Sequence, residues 1–121
     1  MTNVTITELG TVDATQLTNV ELYYELDTTA PYNCVDERYD GTETQFGSSI
    51  GAFSAANGTS TFTDSVTINT TSTLCLYPVF SVSDLVQNGE TIELAIQNPP
   101  FDVLVSSGSV GPGTTQAITG S

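Results

Sequence analysis

The stretch Thr73–Val82 constrains the fold more than any other part of the chain, because it is the longest apolar run in the sequence. Alternate side chains of a strand point to opposite faces of its sheet, and apolar residues occupy both parities of this run. The run therefore predicts a strand that is covered on both faces and central in its sheet. Pro78 has no main-chain N–H, so we expect a neighbouring strand to be absent or bulged beside it.

Shorter alternations of apolar and polar residues recur along the chain and predict further strands. The clearest one covers residues 19–26, where the residues of the apolar parity are Val20, Leu22, Tyr24 and Leu26. Such alternation is typical of a sheet with one face on the core and the other in water. Weaker patterns predict strands over residues 4–7, 42–46, 59–68 and 92–97, and another from Phe101 onward.

Two details of these patterns allow sharper expectations. In the 59–68 strand the inward positions are Phe62, Val66 and Ile68. Asp64 falls on the same parity, so we expect either a bulge that returns it to solvent or a hydrogen-bond donor beside it. The pair Asn88–Gly89 favours a type I′ hairpin, whose two central residues need positive φ angles.

The strand patterns together predict the fold class. No segment combines helical periodicity with helix caps, and turn signals separate seven or eight short strands. We therefore predict an all-β chain that forms a two-sheet β-sandwich of the immunoglobulin-like or fibronectin-III-like kind. The sandwich is expected to occupy residues 1–106, and the Gly-, Ser- and Thr-rich residues 107–121 to form a C-terminal strand or a linker.

The charge balance limits the partners that the chain can have. Arg38 is the single basic residue, against fourteen acidic residues, and the net charge is −13. Nucleic acid is excluded as a partner because binding it requires cations that replace counterions on phosphate. Direct membrane insertion is also excluded, because no apolar run approaches the ~20 residues of a membrane span. Neighbouring domains, copies of the same protein and surface glycans remain as partners.

The same residue inventory argues against catalysis. Without His there is no Ser-His-Asp or Cys-His pair, and without Lys there is no Schiff-base nucleophile. We predict that the chain is not an enzyme and that it needs no cofactor other than, at most, calcium. A glycosidase is the one catalytic class left open, and it would require two acids about 5–10 Å apart in a cleft.

The two cysteines, Cys34 and Cys75, are expected to form a disulfide. An even number of cysteines in a chain with few charged residues is the usual sign of a disulfide framework in a secreted protein. Closing a loop of this length would contribute roughly 3–4 kcal/mol through loop-closure entropy. The alternative is a pair of free thiols, with Cys75 serving as a small core residue.

The long loop predicted over Asp27–Gly41 is rich in acidic residues. Carboxylates are ligands that Ca²⁺ prefers, which makes Asp27, Asp36 and Asp40 candidate calcium ligands. Their spacing matches no EF-hand, however, and charge clusters are usually solvated surfaces. We therefore favour a solvated acidic loop in which Arg38 pairs locally. As the one long insertion, this loop is also where any activity would reside.

Several segments carry a resemblance to a known kind of protein. They are residues 4–12, 17–24, 39–47, 75–77 and 89–94, with sequences VTITELGTV, LTNVELYY, YDGTETQFG, CLY and GETIEL. These segments resemble modules in large repetitive surface proteins of bacteria. The resemblance implies an extracellular location at the cell surface and a role as stalk, spacer or adhesive unit, and it carries over no catalytic residue.

We accordingly expect a non-enzymatic, extracellular structural or adhesive module of a bacterial surface protein. Two alternatives stay open. One is the subunit of an extracellular filament assembled by strand donation, with the Val4–Ile6 strand or the C-terminal tail as donor. The other is a carbohydrate-binding module, for which exposed, coplanar rings of Tyr23, Tyr32 or Tyr39 would be the sign.

Overall fold

The computed structural model of the chain describes residues 1–54, 58–69 and 71–105, together with the main chain of residues 116–118. Within these residues lie nine strands, a 3-10 helix at Ala14–Gln16 and a four-residue helix α1 at Pro99–Asp102. The strands are β1 Asn3–Glu8, β2 Leu17–Asp27, β3 Thr44–Gln45, β4 Ile50–Ala52, β5 Thr59–Thr63, β6 Thr73–Val82, β7 Leu94–Ile96, β8 Val103–Leu104 and β9 Gln116–Ile118.

The strands form two antiparallel sheets, as the sequence predicts. In the first sheet β1 pairs with β5 on one side and with β7 and β8 on the other, and β9 pairs with β7. In the second sheet β2 pairs with β6 on one side and with β3 and β4 on the other. The all-β, two-sheet prediction is thus confirmed, and the architecture is compatible with a β-sandwich.

The hydrophobic core lies between the two sheets. Strand β1 contributes Val4 and Ile6 and strand β5 contributes Phe62, while β2 contributes Val20 and Leu22 from the opposite sheet. All five side chains are buried. Further buried members of this core are Val12, Ala14, Leu17, Phe46, Phe53, Val66 and Leu94. Because strands alternate their faces, polar residues such as Asn3 and Thr5 of β1 and Glu21 of β2 are left on the outer surfaces of the sheets.

Strand β2 shows the predicted alternation with one irregularity. Val20 and Leu22 are buried in the core, and Tyr24 packs against it. The pairing of β2 with β6 shifts register between Thr18 and Glu21, and Asn19 there has a positive φ of 51°. Such a bulge inserts an extra residue into the alternation, which is why Leu17, of the opposite parity, also reaches the core.

Strand β6 has the predicted bounds, but its predicted central position is wrong. Among the described residues it pairs with β2 alone, so it is an edge strand. The apolar residues on its second parity are covered by the chain's own loop, because Cys34 is bonded to Cys75 and the ring of Tyr39 packs on that of Tyr77. Apolar residues on both parities therefore report covered faces and not a second neighbouring strand.

Pro78 lies where its missing N–H costs no hydrogen bond inside the sheet. It is paired with Leu22 of β2, and the carbonyl oxygen of Leu22 accepts a hydrogen bond from the N–H of Phe46 at 2.7 Å, on the β3 side. The N–H and C=O of one strand residue point to the same side, so Leu22 and Pro78 form a non-hydrogen-bonded pair. Pro78 therefore faces the open edge of β6, which agrees with the expectation of an absent neighbour.

Several expectations for the shorter strands are wrong. Strand β5 ends at Thr63, and Ile68 is exposed instead of inward. Phe101 lies in α1 and is 74% exposed, so the strand expected from Phe101 begins at Val103, after a helix that the adjacent prolines start. Strand β4 was not predicted, because its three residues are too few to show a pattern.

The structure decides the expectations for Asp64 and for the Asn88–Gly89 pair. Asp64 follows the end of β5, is exposed, and accepts a hydrogen bond from the N–H of Gly47 at 3.0 Å; the donor alternative therefore holds, without a bulge. Asn88–Gly89 lies in a turn closed from Glu90 to Gln87, but β6 and β7, the strands that flank it, belong to different sheets. Only Gly89 of the pair has a positive φ, so the type I′ hairpin prediction is wrong.

The C-terminal segment expected over residues 107–121 contains strand β9, which pairs with β7 from Leu94 to Ile96. Residues 106–115 and 119–121 lie outside the described part of the chain. Within that part, neither short helix has the length or the apolar character of a membrane-crossing helix.

We predict that Pro78 protects the open edge of β6 from association. Pro78→Thr would restore an N–H there and should increase self-association, because unpaired main-chain groups on a flat edge recruit other strands. Light scattering after size-exclusion chromatography measures this. Pro100→Thr, at an exposed proline outside the sheets, is the matched control and should leave the molecule unchanged. Equal behaviour of the two variants would contradict the assignment.

Candidate functional site

The side of the second sheet that faces away from the core carries the most distinctive group of polar and aromatic side chains. In the β2–β6 ladder Tyr23 is opposite Tyr77, and Glu25 is opposite Cys75. Their neighbours Leu74 and Leu76 pack against the core, so these four side chains project to the outer face. Glu21, two residues before Tyr23, shares that face.

The disulfide between Cys34 and Cys75 lies on this outer face. The prediction of the bond is confirmed, with a Cα–Cα distance of 6.0 Å and a sequence separation of 41. Cys75 is only 4% exposed yet does not belong to the hydrophobic core cluster. The bond thus fastens the long loop to the side of the sheet that faces away from the core.

Asp27 shapes the beginning of the long loop. Its side chain is buried, and its two oxygens accept hydrogen bonds from the N–H of Thr29 at 2.9 Å and from that of Cys34 at 3.2 Å. The hydroxyl of Thr73 donates to the carbonyl oxygen of Tyr32, which ties the loop to β6 a second time. Hydrogen bonds from and to side chains therefore hold the first part of the loop next to the disulfide.

Three tyrosines meet where the loop crosses the outer face. The ring centroid of Tyr39 lies 5.4 Å from that of Tyr23 and 6.0 Å from that of Tyr77, and the ring planes are inclined by 56° and 49°. Tyr39 is 37% exposed and the other two are half-buried. We call Tyr23, Tyr39 and Tyr77, with the adjacent Glu21 and Glu25, the tyrosine face.

Carboxylates accept hydrogen bonds from the hydroxyls of two of these tyrosines. Tyr23 donates to Glu21 at 2.6 Å, and Tyr77 donates to Glu25. The hydrogen bond to Glu21, with smaller contributions from burial and nearby charge, raises the pKa of Tyr23 to about 12. Glu21 also accepts a hydrogen bond from the hydroxyl of Ser49 at 2.6 Å; this bond and the one from Tyr23 lower the pKa of Glu21.

The negative potential of the face also affects Tyr77 and Glu37. Burial, followed by the hydrogen bond to Glu25 and by the charges of nearby glutamates, raises the pKa of Tyr77 above its ordinary range. Desolvation raises the pKa of Glu37, and the charges of Glu25, Asp27 and Asp36 add to the effect. Nearby carboxylates thus add to the effect of burial on both groups.

Arg38 pairs locally, as expected of a solvated loop, but with main-chain oxygens. Its guanidinium donates to the carbonyl oxygens of Val35 at 2.9 Å and Glu37 at 2.6 Å. Two acidic side chains of the loop are engaged in the same way with main-chain N–H groups: Asp40 accepts from Thr42, and Glu43 accepts from Asp40 and Gly41. The loop thus uses its charged groups to satisfy its own main chain.

The structure does not bring the three candidate calcium ligands together. Asp27 and Asp36 line a pocket of about 140 Å³ in the long loop, and Asp40 is not part of its lining. The other lining residues are Thr29, Ala30, Pro31, Asn33 and Glu37. Within the described residues no group of three or more acidic, His or Cys side chains is arranged to hold a metal ion. Calcium binding by Asp27, Asp36 and Asp40 stays a prediction.

The tyrosines named as signs of a sugar platform are not coplanar. Tyr23 and Tyr39 are in contact but inclined by 56°, and Tyr32 has no ring contact within the described part of the chain. Sequence reasoning missed Tyr77, Glu21 and Glu25 as members of this face. The parity of β2 and β6 was the available signal, but it could not show that Tyr39 would fold back between them.

A buried acidic residue outside this face has a structural role. Glu8 is fully buried, and its Oε1 accepts hydrogen bonds from the N–H groups of Gly10 and Glu93, at 2.5 and 3.1 Å. It thereby joins β1 to the segment before β7. A Cβ at Gly10 would lie 2.2 Å from the carbonyl oxygen of Thr91, so only glycine fits this close approach.

With this geometry established, the chain was compared with known proteins. No protein-family model, curated protein or solved structure matches it.

We predict that Tyr23 contributes to stability only below strongly alkaline pH. Its pKa is about 12 when folded, against an ordinary value of 10.0, so the folded state favours the protonated phenol. The contribution is fully present below pH 10.0 and is lost as the pH rises through about 12. In Tyr23→Phe, ultraviolet titration of phenolate formation should lose the component near pH 12 and keep the later component of Tyr77; loss of a component near the ordinary tyrosine pKa instead would contradict the assignment.

Proposed function

We propose that the chain is a non-enzymatic, extracellular module with a structural or adhesive role, of the kind found in the bacterial surface proteins that its segments resemble. The observation that carries the proposal is the Cys34–Cys75 disulfide. Disulfides form and persist outside the reducing cytosol. Here the bond fastens a long loop to one face of a small sheet structure, which suits a module that must keep a surface arrangement without protection by the cell.

The use of the acidic side chains supports a non-catalytic role. Both oxygens of Asp27 are occupied by main-chain N–H groups, and Asp40 and Glu43 serve their own loop in the same way. An acid or base in catalysis must instead reach a proton of the substrate. The sequence also has neither His nor Lys, so carboxylate chemistry would have to work without the usual partners.

The filament alternative receives no support from the described strands. Strand donation requires a terminal strand that is free to leave its own sheet. Strand β1 is paired with β5 from Asn3 to Thr7, and β9 is paired with β7. The open edge of β6, which is the natural acceptor, carries Pro78 at a position that faces outward.

Single-molecule stretching tests the structural role directly. Tandem copies of the domain should unfold at discrete forces. The oxidised domain should release less chain than the reduced domain by about 140 Å, because the bond locks a separation of 41 residues at about 3.5 Å each. The double variant Cys34→Ser/Cys75→Ser should show the longer release in both buffers.

An oxidised domain that extends without a resolved force peak would contradict the structural role. Turnover in a panel of polysaccharides and glycosides would contradict the non-enzymatic role. In that case Asp36→Asn should abolish the turnover while the fold stays intact, because Asp36 lines a pocket of the long loop together with the acidic residues Asp27 and Glu37.

A further inference from the structure

We propose that the tyrosine face binds a cationic segment of another protein, with Arg or Lys side chains placed against the rings of Tyr23, Tyr39 and Tyr77. The inference rests on the adhesive branch of the proposed function and names the chemistry of its partner. The aromatic cluster provides the contact surface, and the charge around the cluster determines which ligand fits.

The arrangement of the rings favours a compact cation over a flat ligand. The ring of Tyr39 is inclined by 56° to that of Tyr23 and by 49° to that of Tyr77. Neither pair of rings therefore forms a continuous flat surface for a sugar ring. A cation is attracted to the face of any single ring. Rings in different orientations can therefore each contact a different part of one guanidinium or ammonium group and its aliphatic stem.

The hydrogen-bonding groups of the face favour the same ligand. The hydroxyl protons of Tyr23 and Tyr77 are engaged in hydrogen bonds to Glu21 and Glu25, so the lone pairs that remain on these phenol and carboxylate oxygens can only accept hydrogen bonds. Guanidinium and ammonium groups are donors only, and the two sets of groups are complementary. An anionic ligand would need hydrogen-bond donors, and the hydroxyls of Tyr23 and Tyr77 already donate to Glu21 and Glu25.

The negative charge around the face supplies attraction that the chain itself does not satisfy. Burial is the largest cause of the raised pKa of Tyr77 and of Glu37, and the charges of neighbouring carboxylates, Glu25 among them, raise both further. The single cation, Arg38, is bound to main-chain oxygens of its own loop. A cation from outside would relieve this repulsion, and the field would also steer a cationic segment toward the face.

The partner must be a different protein and not a second copy. The chain has no Lys, its only Arg is engaged, and its net charge is −13, so two copies repel each other and offer no cation in exchange. The disulfide gives the face a further property. Tyr39 belongs to the loop that Cys34 fastens to the sheet, so the aromatic cluster is complete only while the loop is in place.

Fluorescence anisotropy tests the proposal with a labelled Gly/Ser peptide that carries Arg residues. The same peptide with neutral citrulline in place of Arg is the ligand control. The oxidised domain should bind the Arg peptide and not the citrulline peptide. Tyr39→Leu removes one ring and no charge, and it should weaken binding by about two- to five-fold, as expected for one exposed cation–π contact.

Tyr32→Leu is the matched protein control, because Tyr32 lies in the same loop but outside the cluster, and it should leave the affinity unchanged. Melting curves establish that both variants are folded. Unchanged affinity in Tyr39→Leu, equal losses in both variants, or equal binding of the citrulline peptide would each overturn the proposal. The stretching experiment involves none of these rings, so its result separates failure of this site from failure of the structural role.

Discussion

The pairing of β2 with β6 is the interaction on which the rest of this structure depends. It runs from Leu17 to Asp27 on one strand and from Val82 to Thr73 on the other. One side of this ladder presents Leu22, Leu74 and neighbouring apolar residues to the core. The other side presents two glutamates, two tyrosines and a cysteine, so one pairing supplies both a packing surface and the strand residues of the tyrosine face.

The loop on the outer side of the ladder is held by contacts that lie outside the hydrophobic core. A disulfide, an aspartate that accepts from two main-chain N–H groups, and a tyrosine packed between two others hold the loop there. Carboxylates accept hydrogen bonds from main-chain N–H groups in other parts of the chain as well. These acceptors are Glu8, Asp13, Asp40 and Asp64. A chain with one cation can thus fold with fourteen acids, because many of them replace ion pairs with main-chain donors.

Sequence patterns predicted the parts of the fold that depend on alternation. The bounds of β6, the core face of β2 and the two-sheet class follow from side-chain parity, which a strand translates directly into faces. Parity says nothing about which strands are neighbours, so it led to a central position for β6, and only Pro78 indicated an absent neighbour. The bulge at Asn19 and the turn at Gly89 depend on local φ angles that several residue types can adopt.

The candidate site was less predictable than the fold. The disulfide follows from the cysteine count, but its position on the outer face depends on the course of the loop between Asp27 and Gly41. Tyr39 is 16 residues from Tyr23 and 38 from Tyr77 in the sequence, and only the folded loop brings the three rings together. The pattern that marks a tyrosine as outward does not show what will cover it.

Hydrogen exchange before and after reduction of the disulfide tests the central claim, which is that the bond organises the outer face independently of the core. After reduction, and in the Cys34→Ser/Cys75→Ser variant, faster exchange should be confined to residues 28–43. The amides of β1, β2 and β5 should keep their protection, because their core packing does not involve the bond. Simultaneous loss of protection in those three strands would contradict this account of the structure.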